Sequence, residues 1–387
     1  MRIQFIDLAA QQRHIKDKID ANIQAVLAHG NYIMGPEVKR LEENLADYVG
    51  AKYAIGCASG TDALLMALMA FGIGPGDAVF TTPFTFISTA EVISLLGATP
   101  VFVDVDRKTF NIDPSKLRNV ILSLRRNSGN YPLPKVPSKL VPKAIIPVDL
   151  FGLPADYDAI EAIAKEEGMS VIEDAAQSFG AEYKGRKTCS FGNIACTSFF
   201  PAKPLGCYGD GGMCFTDDDR LAETLRSICV HGKGSHKYDN IRIGINGRLD
   251  TLQAAILMAK FEIFPEEVEL RQTRASHYNS ILSTATFLDL PSVPFHYKSA
   301  WAQYSVVVKD RNNRDELMKK LQREGIPTAI YYPKPLHVQS AFAYLNYREG
   351  DFPESEDIAR RIFSLPMHPY LSEADQEGIA QVLSDEG

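Results

Sequence analysis

Three short segments combine residue types that could hold a small charged molecule and react with it. Ser59, Gly60 and Thr61 form the first segment, Asp174 ends an apolar run in the second, and Lys203 lies among aromatic residues, prolines and glycines in the third. A lysine in such a desolvated setting loses its charge easily and can form a Schiff base with an aldehyde. The third segment therefore predicts Schiff-base chemistry at Lys203.

The other two segments could bind the remainder of such a ligand. A helix that starts after Ser59 would present free N–H groups to a phosphate, and Ser198 could share that phosphate, although Ser and Thr at helix starts are often only caps. Glu173 and Asp174 are costly at the end of an apolar strand unless a cation faces them, so Asp174 either holds a protonated ring nitrogen or merely caps a turn. A reactive lysine, a ring-nitrogen acid and a phosphate cradle are together what pyridoxal phosphate requires.

These segments lie where predicted strands end. We predict strands over 52–57, 78–82, 99–104, 144–150 and 170–173, alternating with helices over 61–71, 88–96 and 157–167. This alternation predicts an α/β fold with a mostly parallel central sheet covered by helices, which binds ligands at the carboxyl ends of its strands. A helix predicted over 251–264 leads to a mixed pattern, so we expect a large domain (1–265) and a smaller C-terminal α+β domain (266–387).

Composition excludes several classes of protein. The chain has 387 residues, 45% hydrophobic and 23% charged, and a net charge of −7, which argues against a nucleic-acid partner. No apolar run approaches the roughly 18 residues of a membrane span, and the N-terminus lacks the features of a signal peptide. The six cysteines show no C-x-x-C pairing. We therefore expect a cytoplasmic protein without metal or disulfides.

One stretch departs from this average composition. Residues 117–143 contain six Lys or Arg and no acidic residue. The stretch is either a solvated excursion between a helix and a strand or a basic flap near an anionic ligand, and its role stays open.

Blocks along almost the whole chain resemble the DegT/StrS family of sugar aminotransferases, a branch of the fold-type I pyridoxal phosphate enzymes. The matching blocks are 30–36, 59–64, 82–86, 173–177, 198–203, 244–248 and 332–337. The resemblance implies the large and small domains of that fold, pyridoxal 5'-phosphate as cofactor, and an amino group that passes from L-glutamate through the cofactor to a keto sugar.

The resemblance also implies how the matched residues serve the cofactor. Lys203 would carry it as a Schiff base and later move a proton, Asp174 would hold its ring nitrogen, and Gln177 would bind its phenolic oxygen. Phe86 would stack on the ring. The phosphate would be bound by Gly60, Thr61 and Ser198. Asn246 would complete the phosphate site of the neighbouring subunit, which implies a homodimer with shared active sites.

Two runs, 198–212 and 248–257, look like the branch of the family that acts on 3-keto uronate sugars in bacterial O-antigen assembly. This likeness implies UDP-2-acetamido-2-deoxy-3-oxo-glucuronate as the acceptor. Arg248 could bind its carboxylate in a bidentate contact or could form a structural ion pair with Asp250 or another acid. Tyr331, Tyr332 and His337 are candidates for lining the sugar or nucleotide pocket.

Other functions are also considered. A neutral dTDP or UDP keto sugar, aminated at the 3 or 4 position, is the first alternative, because the basic stretch is longer than the family's usual connection. A dehydratase of the same fold would replace Lys203 by histidine. A regulatory or binding module would not need Lys203, Asp174 and Gln177 together. The glycines at 206–212 lack the strand, helix and later acid of a dinucleotide site.

Overall fold

A computed structural model describes residues 3–126, 131–136, 139–236, 238–310 and 314–384 of the chain. Its helices are α1 (Leu8–His14), α2 (Lys16–His29), α3 (Pro36–Val49), α4 (Gly60–Ala70), α5 (Ser88–Leu95), α6 (Pro114–Arg126), α7 (Tyr157–Glu167), α8 (Asp219–Cys229), α9 (Thr251–Ile281), α10 (Arg314–Arg323), α11 (Pro353–Arg361) and α12 (Glu373–Ser384). Short 3-10 helices cover Leu150–Gly152, Leu336–Val338 and Ser340–Leu345.

The strands of the described ranges form three sheets. They are β1 (Tyr53–Cys57), β2 (Asp77–Thr81), β3 (Thr99–Phe102), β4 (Val141–Ile146), β5 (Ser170–Asp174), β6 (Glu182–Tyr183), β7 (Arg186–Lys187), β8 (Ile194–Ser198), β9 (Gly212–Thr216), β10 (Leu288–Asp289), β11 (Tyr297–Lys298), β12 (Tyr304–Val308) and β13 (Ile362–Leu365). The main sheet has the order β1-β9-β8-β5-β4-β2-β3, and β9 alone runs antiparallel to its neighbours. The predicted α/β fold with a mostly parallel sheet is therefore confirmed.

Helices cover both faces of the main sheet, and consecutive side chains of each strand pack into cores on opposite faces. On β8, Ile194 and Cys196 join the core under α4 and α8, whereas Ala195 joins the core under α3 and α9. On β2, Val79 and Phe80 divide between the two faces in the same way. Consecutive side chains of a strand point to opposite faces, so both sets become buried.

Helix α9 connects the main sheet to the antiparallel sheet β10-β12-β13. Phe264 and Val268 pack in the core of the main sheet, whereas Ala275 and Tyr278 pack in the core of the second sheet. The predicted helix end at residue 264 is wrong, since α9 continues through Pro265. The expected domain boundary therefore lies within a continuous helix, and the division into 1–265 and 266–387 stays a prediction.

The first part of the basic stretch belongs to helix α6. Its apolar residues Leu117 and Ile121 are buried, while the side chains of Arg118 and Arg125 are nearly half exposed and pair with acids of α7 at 2.6 and 2.8 Å. Ion pairs with such a solvated partner contribute little energy. They match the solvated interpretation of this part, while residues 127–130 and 137–138 of the stretch lie outside the described residues.

All six cysteines are buried as free thiols. Over the described ranges, no cluster of three or more His, Cys, Asp or Glu side chains could hold a metal ion. No helix of that same part of the chain combines the length and apolarity needed to cross a membrane.

Candidate active site

The phosphate-binding residues of the prediction meet where β1 and β8 end. Gly212, the first residue of β9, pairs with Cys57 on one side and Ser198 on the other, which brings the start of α4 beside Ser198. A Cβ atom added to Gly60 would lie 2.6 Å from the Cβ of Ser198, so only glycine allows this approach. The structure therefore brings Gly60, Thr61 and Ser198 together.

The start of α4 keeps hydrogen-bond donors free. Ser59 caps the helix by accepting a 3.0 Å hydrogen bond from the amide of Asp62. The amides of Gly60 and Thr61 form no hydrogen bond to any described residue, as expected for the first turn of a helix. These two amides and the Ser198 hydroxyl form a donor set that fits a phosphate.

Asp174 is the last residue of β5 and is only 5% exposed. Thr89, near the start of α5, donates a 2.8 Å hydrogen bond to its Oδ2, and the amide of Ala176 donates a 3.2 Å bond to Oδ1. Burial raises the pKa of Asp174, whereas these hydrogen bonds and the charge of Lys203 act in the opposite direction. A protonated ring nitrogen is the kind of partner that such a buried acid needs.

Lys203 lies in the loop between β8 and β9. The loop folds tightly, because the amide of Lys203 donates to the carbonyl of Phe200 at 2.8 Å and a Cβ on Gly206 would lie 2.5 Å from a backbone oxygen. Burial lowers the pKa of Lys203, and Asp174 partly offsets this effect. Its Nζ forms no ion pair or hydrogen bond with a described residue, so the amine is available to an aldehyde.

Gln177 and Phe86 are the other two residues predicted to contact the cofactor ring. The Oε1 of Gln177 accepts a 2.9 Å hydrogen bond from the amide of Phe151, and its Nε2 donates to the hydroxyl of Tyr332 at 3.3 Å. The ring of Phe86 lies 6.4 Å from that of Tyr332 and is 53% exposed. Phe86 therefore offers an open ring face, and Tyr332, predicted as a pocket residue, contacts the predicted cofactor residues directly.

Asn246 and Arg248 lie on an extended segment beside β1. Asn246 pairs with Val230, Arg248 pairs with Cys57, and the carbonyl of the intervening Gly247 accepts a 2.8 Å hydrogen bond from the backbone. Asn246 is exposed. Arg248 forms no ion pair with a described residue, so the pairing with Asp250 is not made. Whether Asn246 reaches a second subunit stays a prediction.

The remaining candidates differ in their accessibility. Tyr331 is half-buried, with its ring 6.3 Å from that of Phe5. The side chain of His337 has no exposed surface, and its Nε2 lies 3.0 Å from Oε1 of Glu356. The ring is therefore enclosed beside Glu356, and the expectation that His337 lines the sugar or nucleotide pocket stays a prediction. Packing of the 336–338 turn against the interior buries this side chain.

Sequence reasoning missed two parts of the site. Thr89, which orients Asp174, lies within a predicted helix and carried no separate signal. Glu173 was expected to face a cation, but its carboxyl group instead accepts hydrogen bonds from the amides of Cys189 and Phe191 at 2.7 and 2.8 Å. Backbone donors leave no pattern in the sequence, and Thr89 lies 85 residues from Asp174 along the chain, so neither contact was predictable.

Comparisons with known proteins show which family the chain resembles. A model of the DegT/DnrJ/EryC1/StrS aminotransferase family matches residues 13–384. The UDP-2-acetamido-2-deoxy-3-oxo-D-glucuronate aminotransferase of Pseudomonas aeruginosa is 50% identical over 99% of this chain and 100% of its own. A DegT DnrJ EryC1 StrS aminotransferase from Brucella abortus superposes with a TM-score of 0.93, with 51% identity over 99% of each chain. NtdA from Bacillus subtilis, crystallised with bound cofactor PMP, superposes with a TM-score of 0.86, with 27% identity over 99% of this chain and 86% of its own. The chain belongs to the DegT/DnrJ/EryC1/StrS aminotransferase family.

Proposed function

We propose that the protein is a pyridoxal phosphate-dependent aminotransferase that transfers the amino group of L-glutamate to UDP-2-acetamido-2-deoxy-3-oxo-glucuronate. This reaction would serve bacterial surface polysaccharide biosynthesis, including O-antigen and lipopolysaccharide. The observation that carries the proposal is that Lys203, Asp174 and the Gly60–Ser198 cradle meet at one edge of the sheet. The P. aeruginosa relative, which is named for this sugar, supports the choice of acceptor.

Different residues of the site would hold different parts of the cofactor. When bound, pyridoxal phosphate supplies an aldehyde that combines with amines and a ring that withdraws electrons. The amides at the start of α4 and the Ser198 hydroxyl hold the phosphate, and Phe86 covers one face of the ring. Asp174, oriented by Thr89, keeps a proton on the ring nitrogen, because a buried carboxylate strongly favours a cationic partner.

Lys203 also handles the proton that must move during amino transfer. Its lowered pKa increases the fraction of neutral amine at physiological pH, and a neutral Nζ can accept a proton. The same Nζ returns the proton once protonated. Gln177 is held in place beside it by hydrogen bonds at both ends of its amide group.

Arg248 favours a uronate over a neutral sugar. Its guanidinium has no acidic partner among the described residues, and an Arg–carboxylate pair with two parallel hydrogen bonds is strong and directional. Tyr331 and Tyr332 would line the same pocket. A neutral keto sugar would leave Arg248 without a carboxylate.

A homodimer would bury an apolar surface next to Asn246. Tyr32, Ile33 and Met34 are each about half exposed, and the carbonyl of Tyr32 accepts a 3.0 Å hydrogen bond from the amide at the start of α9. In the loop before Asn246, Ile243 is 86% exposed. Exposed apolar patches of this kind mark protein interfaces. The six free thiols support a reducing, cytoplasmic location.

One experiment tests both the reaction and the acceptor. The protein is incubated with L-glutamate and a panel of uronate and neutral nucleotide keto sugars, and the products are identified by mass spectrometry. We expect amination of the uronate and no multiple turnover by Lys203→Ala. Lys39→Ala is the control for loss of a lysine, because Lys39 forms an exposed ion pair with Glu43 and is not part of the candidate site. Full turnover by Lys203→Ala would refute the mechanism, and preference for a neutral sugar would refute the acceptor.

Mixing two inactive variants tests the shared active site. Lys203→Ala and Asn246→Ala subunits are combined under conditions that exchange subunits. If Asn246 serves the neighbouring subunit, one site of each mixed dimer contains both native residues, so up to half of the wild-type activity per mixed dimer returns. No recovery, despite mixed dimers seen by native mass spectrometry, would contradict sharing.

A further inference from the structure

Two acidic side chains meet in the interior behind the candidate active site. Oδ1 of Asp149 accepts hydrogen bonds from the amide of Ala155 at 2.8 Å and the hydroxyl of Tyr157 at 2.7 Å, and Oδ2 accepts one from the hydroxyl of Ser178 at 2.7 Å. Glu173 accepts the two backbone hydrogen bonds described above. The parallel bridge between Val148 and Asp174 places Asp149 and Glu173 on the same face of neighbouring strands, where the two carboxyl groups interact.

Among the described residues, no cation faces these two acids. The titratable groups that interact with both of them are Tyr157 and Cys189, which carry no positive charge. Both carboxyl groups are fully buried. Two adjoining carboxylates without a cation repel each other strongly, so one of them must keep its proton.

We infer that Asp149 and Glu173 hold at least one proton between them, and that this hydrogen-bonded pair positions the segment from Asp174 to Gln177. The inference rests on the proposed function, because it assigns these two acids to the site that holds the cofactor. They are positioning residues, since neither is placed in contact with cofactor or substrate.

The pair is connected to both residues that it would position. The amide of Asp149 donates to the carbonyl of Asp174 at 3.1 Å, and Glu173 precedes Asp174 in β5. On the other side, Ser178 binds Asp149 and follows Gln177 directly. Separating the two carboxyl groups would therefore displace the acid that faces the ring nitrogen and the amide beside it.

The hydrogen bonds predict that replacing each acid by its amide, Asp149→Asn or Glu173→Gln, has a different effect. In Asp149→Asn, the new NH₂ group donates to Glu173, and the Ser178 hydroxyl can rotate to accept from it. In Glu173→Gln, the NH₂ group must face the amide of either Cys189 or Phe191, because each Glu173 oxygen already accepts from one of them. Placing the NH₂ donor of the glutamine against one of these buried amides leaves that backbone N–H without an acceptor.

The shared proton also predicts how stability depends on pH. Burial raises the pKa of both carboxyl groups, that of Asp149 to about 7. Unfolding releases the proton, so the stabilisation is complete below the ordinary carboxyl range near pH 4 and is lost as the pH rises towards 7. In Asp149→Asn the amide replaces the proton, so this dependence should largely disappear.

The test uses the full-length protein with and without pyridoxal phosphate. Urea unfolding is followed between pH 5.5 and 7 for the wild type and Asp149→Asn, with Asp104→Asn as the control for losing a buried acid, since Asp104 lies 3.6 Å from Lys116. We expect the unfolding equilibrium constant of the wild type to rise roughly five- to tenfold more per pH unit than that of Asp149→Asn. Equal slopes would overturn the inference, even if Glu173→Gln fails to fold.

Cofactor titration tests the positioning role separately. Asp149→Asn should bind pyridoxal phosphate within about threefold of the wild type and keep its absorbance maximum. Glu173→Gln should bind at least tenfold more weakly, about 1.4 kcal/mol, and shift the maximum. Equal behaviour of the two variants would overturn the positioning role. A wild type that binds no pyridoxal phosphate would instead refute the proposed function, while the pH slopes would still test the proton.

Discussion

Replacing Gly60 by alanine should damage the phosphate site without touching any reactive group. The added Cβ would lie 2.6 Å from the Cβ of Ser198 and 3.2 Å from its Oγ. Ordinary carbon contacts need about 3.5–4.0 Å, so α4 and β8 would have to separate by roughly 1 Å. Overpacking of this kind costs about 1–3 kcal/mol, which corresponds to a loss of cofactor affinity of roughly 5- to 150-fold if the cradle absorbs the strain.

The assay is a titration with pyridoxal phosphate, followed by absorbance, together with thermal unfolding of the unliganded protein. Gly378→Ala is the matched control, because an added Cβ there meets no atom within 4 Å and Gly378 is exposed on α12. That variant should unfold at the same or a slightly higher temperature. In the double variant with Ser198→Gly the steric part of the loss should be recovered. Wild-type affinity in Gly60→Ala would refute the cradle.

Three further predictions concern the residues around the ring. Asp174→Asn should lower kcat by roughly 100-fold or more, because one preorganised electrostatic contact typically contributes that much to the rate. Steady-state kinetics measure kcat, and a much smaller loss would contradict the role of Asp174. Burial lowers the pKa of Lys203, so the rate at which the cofactor attaches should rise with pH and reach half its maximum below the ordinary lysine pKa of about 10.4. Stopped-flow absorbance measures this rate, and a midpoint at or above that pKa would contradict the assignment. Tyr332→Phe leaves Nε2 of Gln177 without its acceptor and should cost about 0.5–1.5 kcal/mol in kcat/KM. Tyr344→Phe is the control, because it also removes a tyrosine hydroxyl from a hydrogen bond, in this case with Ser94, and contacts neither Gln177 nor Lys203.

Local patterns predicted most elements of the fold. The helix expected over 157–167 coincides with α7, and the strand expected over 170–173 is one residue shorter than β5. Both are recognisable because the side chains that they bury follow the periodicity of the element. The end of α9 was not predictable in this way. Pro265 removes one backbone hydrogen bond, but Phe264 and Val268 on either side are packed in the core and hold the helix together.

The residues of the candidate site were recognisable because their chemistry depends on residue type and order along the chain. Lys203, Asp174 and the Ser59–Thr61 turn carry that information in the sequence alone. Their mutual contacts were not visible there, since the approach of Gly60 to Ser198 joins segments more than a hundred residues apart. His337 shows the opposite case, because a residue type suited to binding became buried against Glu356.

Glu173 and Asp174 separate what the sequence determined from what the tertiary structure decided. The sequence determined that two acids end an apolar strand, and hence that something must compensate their burial. It could not determine the compensation, because consecutive residues of a strand point to opposite faces of the sheet. Asp174 therefore faces Thr89 and the positive charge of Lys203, whereas Glu173 faces two backbone amides and the carboxyl group of Asp149. Only the packing of loops on those two faces makes one acid a partner for a cation and the other a partner for a proton.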